Sequence, residues 1–495
     1  MKKAAGISIN LGILLVILLS FFTFSERFFP LLNSDMAVNI LMTPSFSLPH
    51  DIYFWGQDRS GNLIPMLAHC LYIFTGWQPV VLVSIVHYLI LAAGFWALMR
   101  FVKSGYGRFI VALVWFLPPW HFIEFLLILY GIQASCMILA LNFLDRSFGT
   151  RVQWKCIAWL SCSCLMFIVA VWVSDMVLIS LIAVLMTAVL YLTAARKIPG
   201  SLLVWRGLLI PAFCIVFWTF AGYLVLHYAK MISTPVLAYD KGFVADSASI
   251  LSSLNIVITS VSGVFLFSSE SNIESVFAWG FFVSLLFVII SKKQYVKTFP
   301  GITEKPWFYF FLCDALLTII AVMSSSWVAA NGSGRRYFTT FFISSFICLV
   351  LWLENLPNQK PKRILQLALM IVMITGSLSG IFRFYYPEIK PSRIRVISAL
   401  KSLGNIGIIA EYWNSYMSGS SDPVHIKTTP HEKDYVRNPD LVEEVLKQPK
   451  IYLIKDGWLD SFPDTIVQFR KTLRKKGACI HIADAWLNRY EIIKR

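Results

Sequence analysis

The chain has 495 residues, 57% of them hydrophobic and only 14% charged, with a mean hydropathy of +0.67. A soluble protein of this size carries about 25% charged residues, so one soluble globular body is excluded. Recurrent apolar runs of about 18 residues or more exclude an outer-membrane barrel, whose strands alternate over about ten residues. The net charge is +16, but Lys and Arg gather in short connections between apolar runs. That distribution fits the positive-inside rule and argues against a nucleic-acid partner.

In chain order, Met1-Lys2-Lys3 precedes an apolar run that ends FTFSERFFP without a small-residue cleavage site. It reads as an uncleaved first span over residues 7–24, with a cytoplasmic N-terminus. A long outer loop, 25–60, follows, and the short apolar stretch 61–76 reads as half-inserted or interfacial. Further spans are expected over 79–101, 109–122, 128–145, 156–173, 176–195, 206–228, 274–291, 307–328, 337–353 and 364–382. With the first, they make about 11. Pro118 and Pro119 separate two of them, because proline removes a donor and its ring blocks the preceding turn. Residues 251–268 read as a further interfacial helix. The expected inner connections carry Arg100, Lys103 and Arg108; Arg146, Arg151 and Lys155; Arg196 and Lys197; Lys292, Lys293 and Lys297; and Lys360, Lys362 and Arg363.

From about residue 383 the composition becomes that of a soluble domain. NIGIIAEYW, DPVHIKTTP, KIYLIKDGW and ACIHIADAW contain strand-like runs. PDLVEEVLKQP and FPDTIVQFRKTLRKKG read as amphipathic helices between them, which gives a small α/β unit. The expected architecture is an α-helical polytopic membrane domain, 1–382, with a reactive first outer loop at about 25–76 and an outer α/β domain, 383–495. Eight of the nine cysteines lie in apolar segments, where Cys acts as a small hydrophobe. Cys479 stands alone in the polar C-terminal region, so no disulfide forms within it.

Candidate chemistry concentrates just past the first span, in SDMAVNILM. Asp35 lies where a carboxylate at the membrane surface would serve as a general base. Equally, Asn33, Ser34 or Asp35 would each cap the helix that AVNILM suggests. In HDIYFWGQDRSG, Asp51, Asp58 and Arg59 would bind a polar head group beside Trp55, or would form a plain surface loop anchored by its aromatics. Arg335 and Arg336 in NGSGRRYF break the charge trend on the outer side. A phosphate anion accounts for them, since guanidinium matches phosphate oxygens bidentately; head-group snorkelling is the alternative. Glu124, His121 and Asp175 lie near outer helix ends. No histidine has metal-ligand spacing. A divalent metal, if one is used, would draw on Asp51, Asp58 or Glu124.

The pattern resembles the GT-C superfamily of membrane glycosyltransferases, which includes protein O-mannosyltransferases and the lipid A aminoarabinose transferase. The resemblance rests on the acidic residue just after the first span in SDMAVNILM and on Arg336-Tyr337 at the outer start of a late span. WGQDRSGNLIPML and EYWNSYMSG are similar to segments of bacterial members. One departure is that Asp35-Met36 stands where many members have Asp-Glu. The resemblance implies a sugar donor carried on a polyprenyl phosphate such as undecaprenyl phosphate. In that scheme Asp35 is the base, Arg335, Arg336 and Tyr337 hold the donor phosphate, and Asp51, Trp55, Asp58, Arg59 and Glu124 contact substrate. The transfer would invert the anomeric centre. It would take place on the periplasmic side of a bacterial inner membrane, onto an envelope glycan or lipid, with O-antigen or another lipopolysaccharide glycan first in view, as in the serotype-modifying glucosyltransferases.

A transporter or flippase is the rival class. It would place charges deep in several spans or show two related halves, whereas here the charges gather at outer helix ends.

Overall fold

The structure is a computed structural model and describes residues 2–150, 152–195, 202–233, 244–268, 272–290, 305–356 and 359–493. The chain is mostly helical and ends in a six-stranded sheet. Among the described residues, eight helices are long and apolar enough to cross a membrane, or nine if the bent pair Gly105–Phe116 and Trp120–Leu127 is one span. About 11 were expected. One difference is that Leu129–Gly149 carries Asn142, Asp145 and Arg146 in its last turns. Another is that the apolar part of the expected 176–195 span, Val177–Tyr191, is shorter. Ser247–Phe265, expected at the interface, is itself long and apolar enough to cross. The basic connections at Arg196 and Lys197 and at Lys292, Lys293 and Lys297 lie outside the described residues.

The chain divides into two compact units. The first comprises Met1–Ser20, Ile90–Leu224 and Ala238–Glu388. Its helices approach closely at small residues: a Cβ on Gly94 would lie 2.5 Å from Ser135. The Pro118-Pro119 break bends its helix pair by 67°. The backbone groups freed there find partners on helix Gln359–Tyr385. Trp120 N–H donates to Ser379 Oγ at 3.1 Å, and Ser377 Oγ donates to the Leu117 carbonyl at 2.7 Å. In hydrocarbon such replacement partners are required.

The second unit comprises Phe21–Leu89, Val225–Leu237 and Ile389–Arg495. It joins the expected first outer loop to the C-terminal domain. Helix Ser34–Ser45 begins at Asn33, whose side chain accepts from Met36 N–H at 2.8 Å. Helix Leu63–Thr75 ends at Gly76, in the left-handed region at φ +63° that glycine enters freely. Glu26 and His87, both almost fully buried, meet at 2.6 Å and tie the end of the first long helix to helix Pro79–Leu98.

The sheet has the order β2-β1-β3-β6-β5-β4. Strands β1 (Ile406–Ala410), β2 (Ile426–Pro430) and β3 (Ile451–Lys455) are parallel. The near-continuous apolar burial of β1 and β3 fits strands covered on both faces, whereas β2 carries Lys427, Thr428 and Thr429. Helix Tyr412–Gly419 follows β1 and packs on both β2 and helix Ser34–Ser45. A Cβ on Gly419 would lie 2.8 Å from Thr428 Oγ1 and 2.9 Å from Leu41, so only glycine permits that approach. Strands β4 (Thr465–Gln468), β5 (Lys471–Ile482) and β6 (Ala485–Ile492) add an antiparallel meander.

This meander corrects the reading of FPDTIVQFRKTLRKKG as a helix. Phe469-Arg470 and Ala483-Asp484 all have positive φ, from +50° to +60°. Each pair makes the two-residue turn whose twist matches a hairpin. The turns carry neither Asn-Gly nor Asp-Gly, so the usual signal was missing. EYWNSYMSG supplies the helix that follows β1.

Candidate active site around Asp35

Of the predicted site residues, Asp35, Asp51, Trp55, Asp58 and Arg59 fall in the second unit, and Glu124, Arg335, Arg336 and Tyr337 in the first. Asn33 supplies the N-cap, so Asp35 is released from that role and stands in the first helical turn. Its side chain is 37% exposed. Oδ1 accepts from Arg437 Nη2 at 3.1 Å. Oδ2 takes no hydrogen bond among the described residues.

Arg437 is the residue that sequence reasoning missed. Its side chain is 7% exposed, and a buried guanidinium needs both a counter-charge and hydrogen-bond acceptors. Asp35 supplies the charge. The Trp55 carbonyl accepts from Nη1 at 3.2 Å, and Tyr412 Oη accepts from Nε. The guanidinium lies 4.9 Å from the Phe54 ring centroid, 5.3 Å from that of Tyr412 and 5.8 Å from that of Tyr435. Aromatic faces favour a cation at such distances. Burial alone would pull the Arg437 pKa down, but Asp35 and Tyr412 beside it hold it above the ordinary value. Burial pushes the Tyr412 phenol up, with Arg437 opposing.

The cage is locked from behind. Tyr416 Oη accepts from Arg437 N–H at 2.9 Å, and Tyr435 Oη donates to the Gly56 carbonyl at the same distance. Gly56 has φ +72°, and a Cβ there would fall 2.0 Å from Tyr435 Oη. The only signal in the sequence was the run of tyrosines in EYWNSYMSG and DYVRNP.

Asp51 has a different task. It is buried and accepts from Ser47 N–H at 2.8 Å, Trp55 Nε1 at 2.9 Å and Ser47 Oγ at 3.3 Å, with His50 Nδ1 3.1 Å away. Its carbonyl accepts from Asn62 Nδ2 at 2.7 Å. Asp51 thereby knots the loop that presents Trp55, and the indole N–H of Trp55 is already used. Asp58 and Arg59 lie half-buried at the turn before Gly61.

In the first unit, Arg335 Nε lies 3.4 Å from Glu124 Oε1. The Arg335 guanidinium is 4.7 Å from the Trp120 ring centroid, and that of Arg383 is 4.4 Å from the same ring. Arg336 Nη2 donates to Tyr337 Oη at 2.9 Å. Two guanidinium groups on one indole, with a third nearby in sequence, form a locally cationic site that an anion would relieve. Arg383 and Trp120 are additions to the predicted set. Among the described residues no three His, Cys, Asp or Glu side chains are placed to hold a metal ion.

No family model and no curated protein matches the sequence. Among solved structures, the chain is similar to ArnT of Cupriavidus metallidurans bound to undecaprenyl phosphate. The match has 10% identity, covers 99% of this chain and 98% of that one, and has a TM-score of 0.54. The apo oligosaccharyltransferase of Archaeoglobus fulgidus matches at 12% identity over 92% of this chain and 70% of that one, with a TM-score of 0.43. At this identity the likeness to ArnT is one of fold.

Proposed function

We propose that the protein is a glycosyltransferase that moves a sugar from a polyprenyl phosphate, such as undecaprenyl phosphate, to a hydroxyl of a cell-envelope acceptor. The observation that carries this reading is the state of Asp35: one carboxylate oxygen is fixed by a buried arginine and the other is open. The fold shared with ArnT, itself bound to undecaprenyl phosphate, supports the choice of donor.

In this reading the acceptor oxygen attacks the anomeric carbon. A new carbon–oxygen bond forms as the bond to phosphate breaks, and the electron pair leaves with the lipid phosphate. The acceptor proton passes to Asp35 Oδ2. Arg437 orients the carboxylate through Nη2. Arg335 and Arg336, with Tyr337, receive the charge that develops on the departing phosphate. A single displacement of this kind inverts the anomeric centre. In this reading Asp58, Arg59 and Glu124 are substrate contacts, whereas Asp51 and Trp55 shape the loop that carries Asp58 and Arg59. The protein sits in a bacterial inner membrane with its N-terminus cytoplasmic. Residues 383–495 are periplasmic, and a lipopolysaccharide glycan such as O-antigen is the acceptor.

Native mass spectrometry with added undecaprenyl phosphate tests the donor half. The wild type retains the lipid. Replacing Arg335 and Arg336 together by Ala weakens retention at least tenfold, whereas Asp35→Asn leaves it unchanged. Equal retention by the double variant would remove the phosphate role.

A further inference from the structure

The second unit holds a cavity of about 260 Å³ that the transfer chemistry leaves unused. The geometry points to this cavity as a subsite for one sugar residue of the acceptor glycan, away from the reacting hydroxyl. The inference rests on the glycosyl-transfer reading and names where its acceptor is gripped. The cavity is bounded by the last turns of helix Ser34–Ser45, by Trp55 and Tyr72, and by β2 with the turn before it.

The lining has the chemistry of a carbohydrate site. Tyr72 offers a half-exposed ring, while Trp55, 2% exposed and with its N–H given to Asp51, backs the wall. An aromatic face such as that of Tyr72 suits the C–H face of a pyranose. Lys427 and Glu444 line one wall and pair at 3.0 Å, both partly exposed. A sugar hydroxyl both donates and accepts, so it can bridge that pair. An acyl chain would strip water from both charges and return nothing. A space of about 260 Å³ is large enough to admit one sugar residue.

Position sets the role. Asp35 and Ser45 stand near opposite ends of one helix, and ten residues at ~1.5 Å each separate them by roughly 15 Å. The occupant is therefore a part of the acceptor that does not react, and its binding energy serves to place the part that does. Trp55 belongs to both places: it borders the cavity, and its carbonyl accepts from Arg437, which donates to Asp35.

The test uses the full chain in lipid nanodiscs on an array of bacterial surface oligosaccharides. The Asp35→Asn background prevents turnover. Val424 lines the rim and is 46% exposed, so Val424→Trp blocks the cavity without entering the core. Asp35→Asn alone should retain a set of glycans. Adding Val424→Trp should weaken them at least tenfold, and adding Lys427→Met several-fold. Retention unchanged by both additions, or no glycan retained at all, overturns the inference. Chemistry takes no part in this readout. Cavity-dependent binding without transfer would therefore contradict only the transfer reading. Transfer at an unchanged acceptor KM in Val424→Trp would contradict only the subsite.

Discussion

Asp35 and Arg437 are 402 residues apart in the chain and 3.1 Å apart in the fold. A buried arginine is costly unless paired, and here the partner is the proposed base. Arg437→Lys keeps the charge but loses the planar fork that reaches Asp35, Trp55 and Tyr412 at once. It should lower kcat by at least tenfold in a transfer assay while undecaprenyl phosphate retention is unchanged. Asp51→Ala strands the donors of Ser47 and Trp55 and should cost about 3 kcal/mol of stability in a thermal melt. If Asp51 contacted substrate and nothing more, the melt would stay put and KM would rise. At this scale the sequence exposed Asp35 and the paired arginines, because isolated charges beside apolar runs stand out. Arg437 stayed hidden: nothing in DYVRNP marks which arginine is buried, and its partners come from distant segments.

Helix Ser34–Ser45 carries Asp35 at one end and the cavity at the other, so its start must be well defined. Asn33→Ala removes the cap and should cost about 1 kcal/mol, read as a lower melting temperature. If Asn33→Ala left the melting temperature unchanged, the helix start would not depend on this cap. The meander offers a second test. Phe469 and Arg470 occupy positive φ, where an L side chain is disfavoured by about 1–2 kcal/mol. Replacing the pair by Asn-Gly should raise the melting temperature. Long apolar helices and the three parallel strands were legible because period and length suffice to identify them. The hairpins were not, since tertiary pairing overrode a run of Arg and Lys that reads as helical.

At the scale of the whole molecule, the sequence located the membrane helices and the soluble end. It did not show that the first outer loop and the C-terminal domain build one unit. Contacts such as Tyr435 with Gly56, nearly four hundred residues apart, leave no local pattern. The acidic ends of the parallel strands give this unit a pH dependence. Burial, then Asp456 and Asp434, push the Glu411 carboxyl above its ordinary 4.5. A carboxyl raised on folding costs stability as pH rises from its unfolded value through its folded one. Glu411→Gln should therefore raise the melting temperature near pH 7 and make no difference at about pH 4. A gain of equal size at both would place the effect elsewhere.

The central claim is that this membrane protein transfers a sugar with Asp35 as base. Mass spectrometry of lipopolysaccharide and other envelope glycans, from cells with the wild type, with Asp35→Asn and without the protein, tests it directly. A sugar-sized increment with the wild type alone, at equal amounts of membrane-inserted protein, is the predicted result. An increment that survives Asp35→Asn would contradict the role of Asp35. No increment in a host that holds both the donor lipid and the acceptor would contradict the transfer itself.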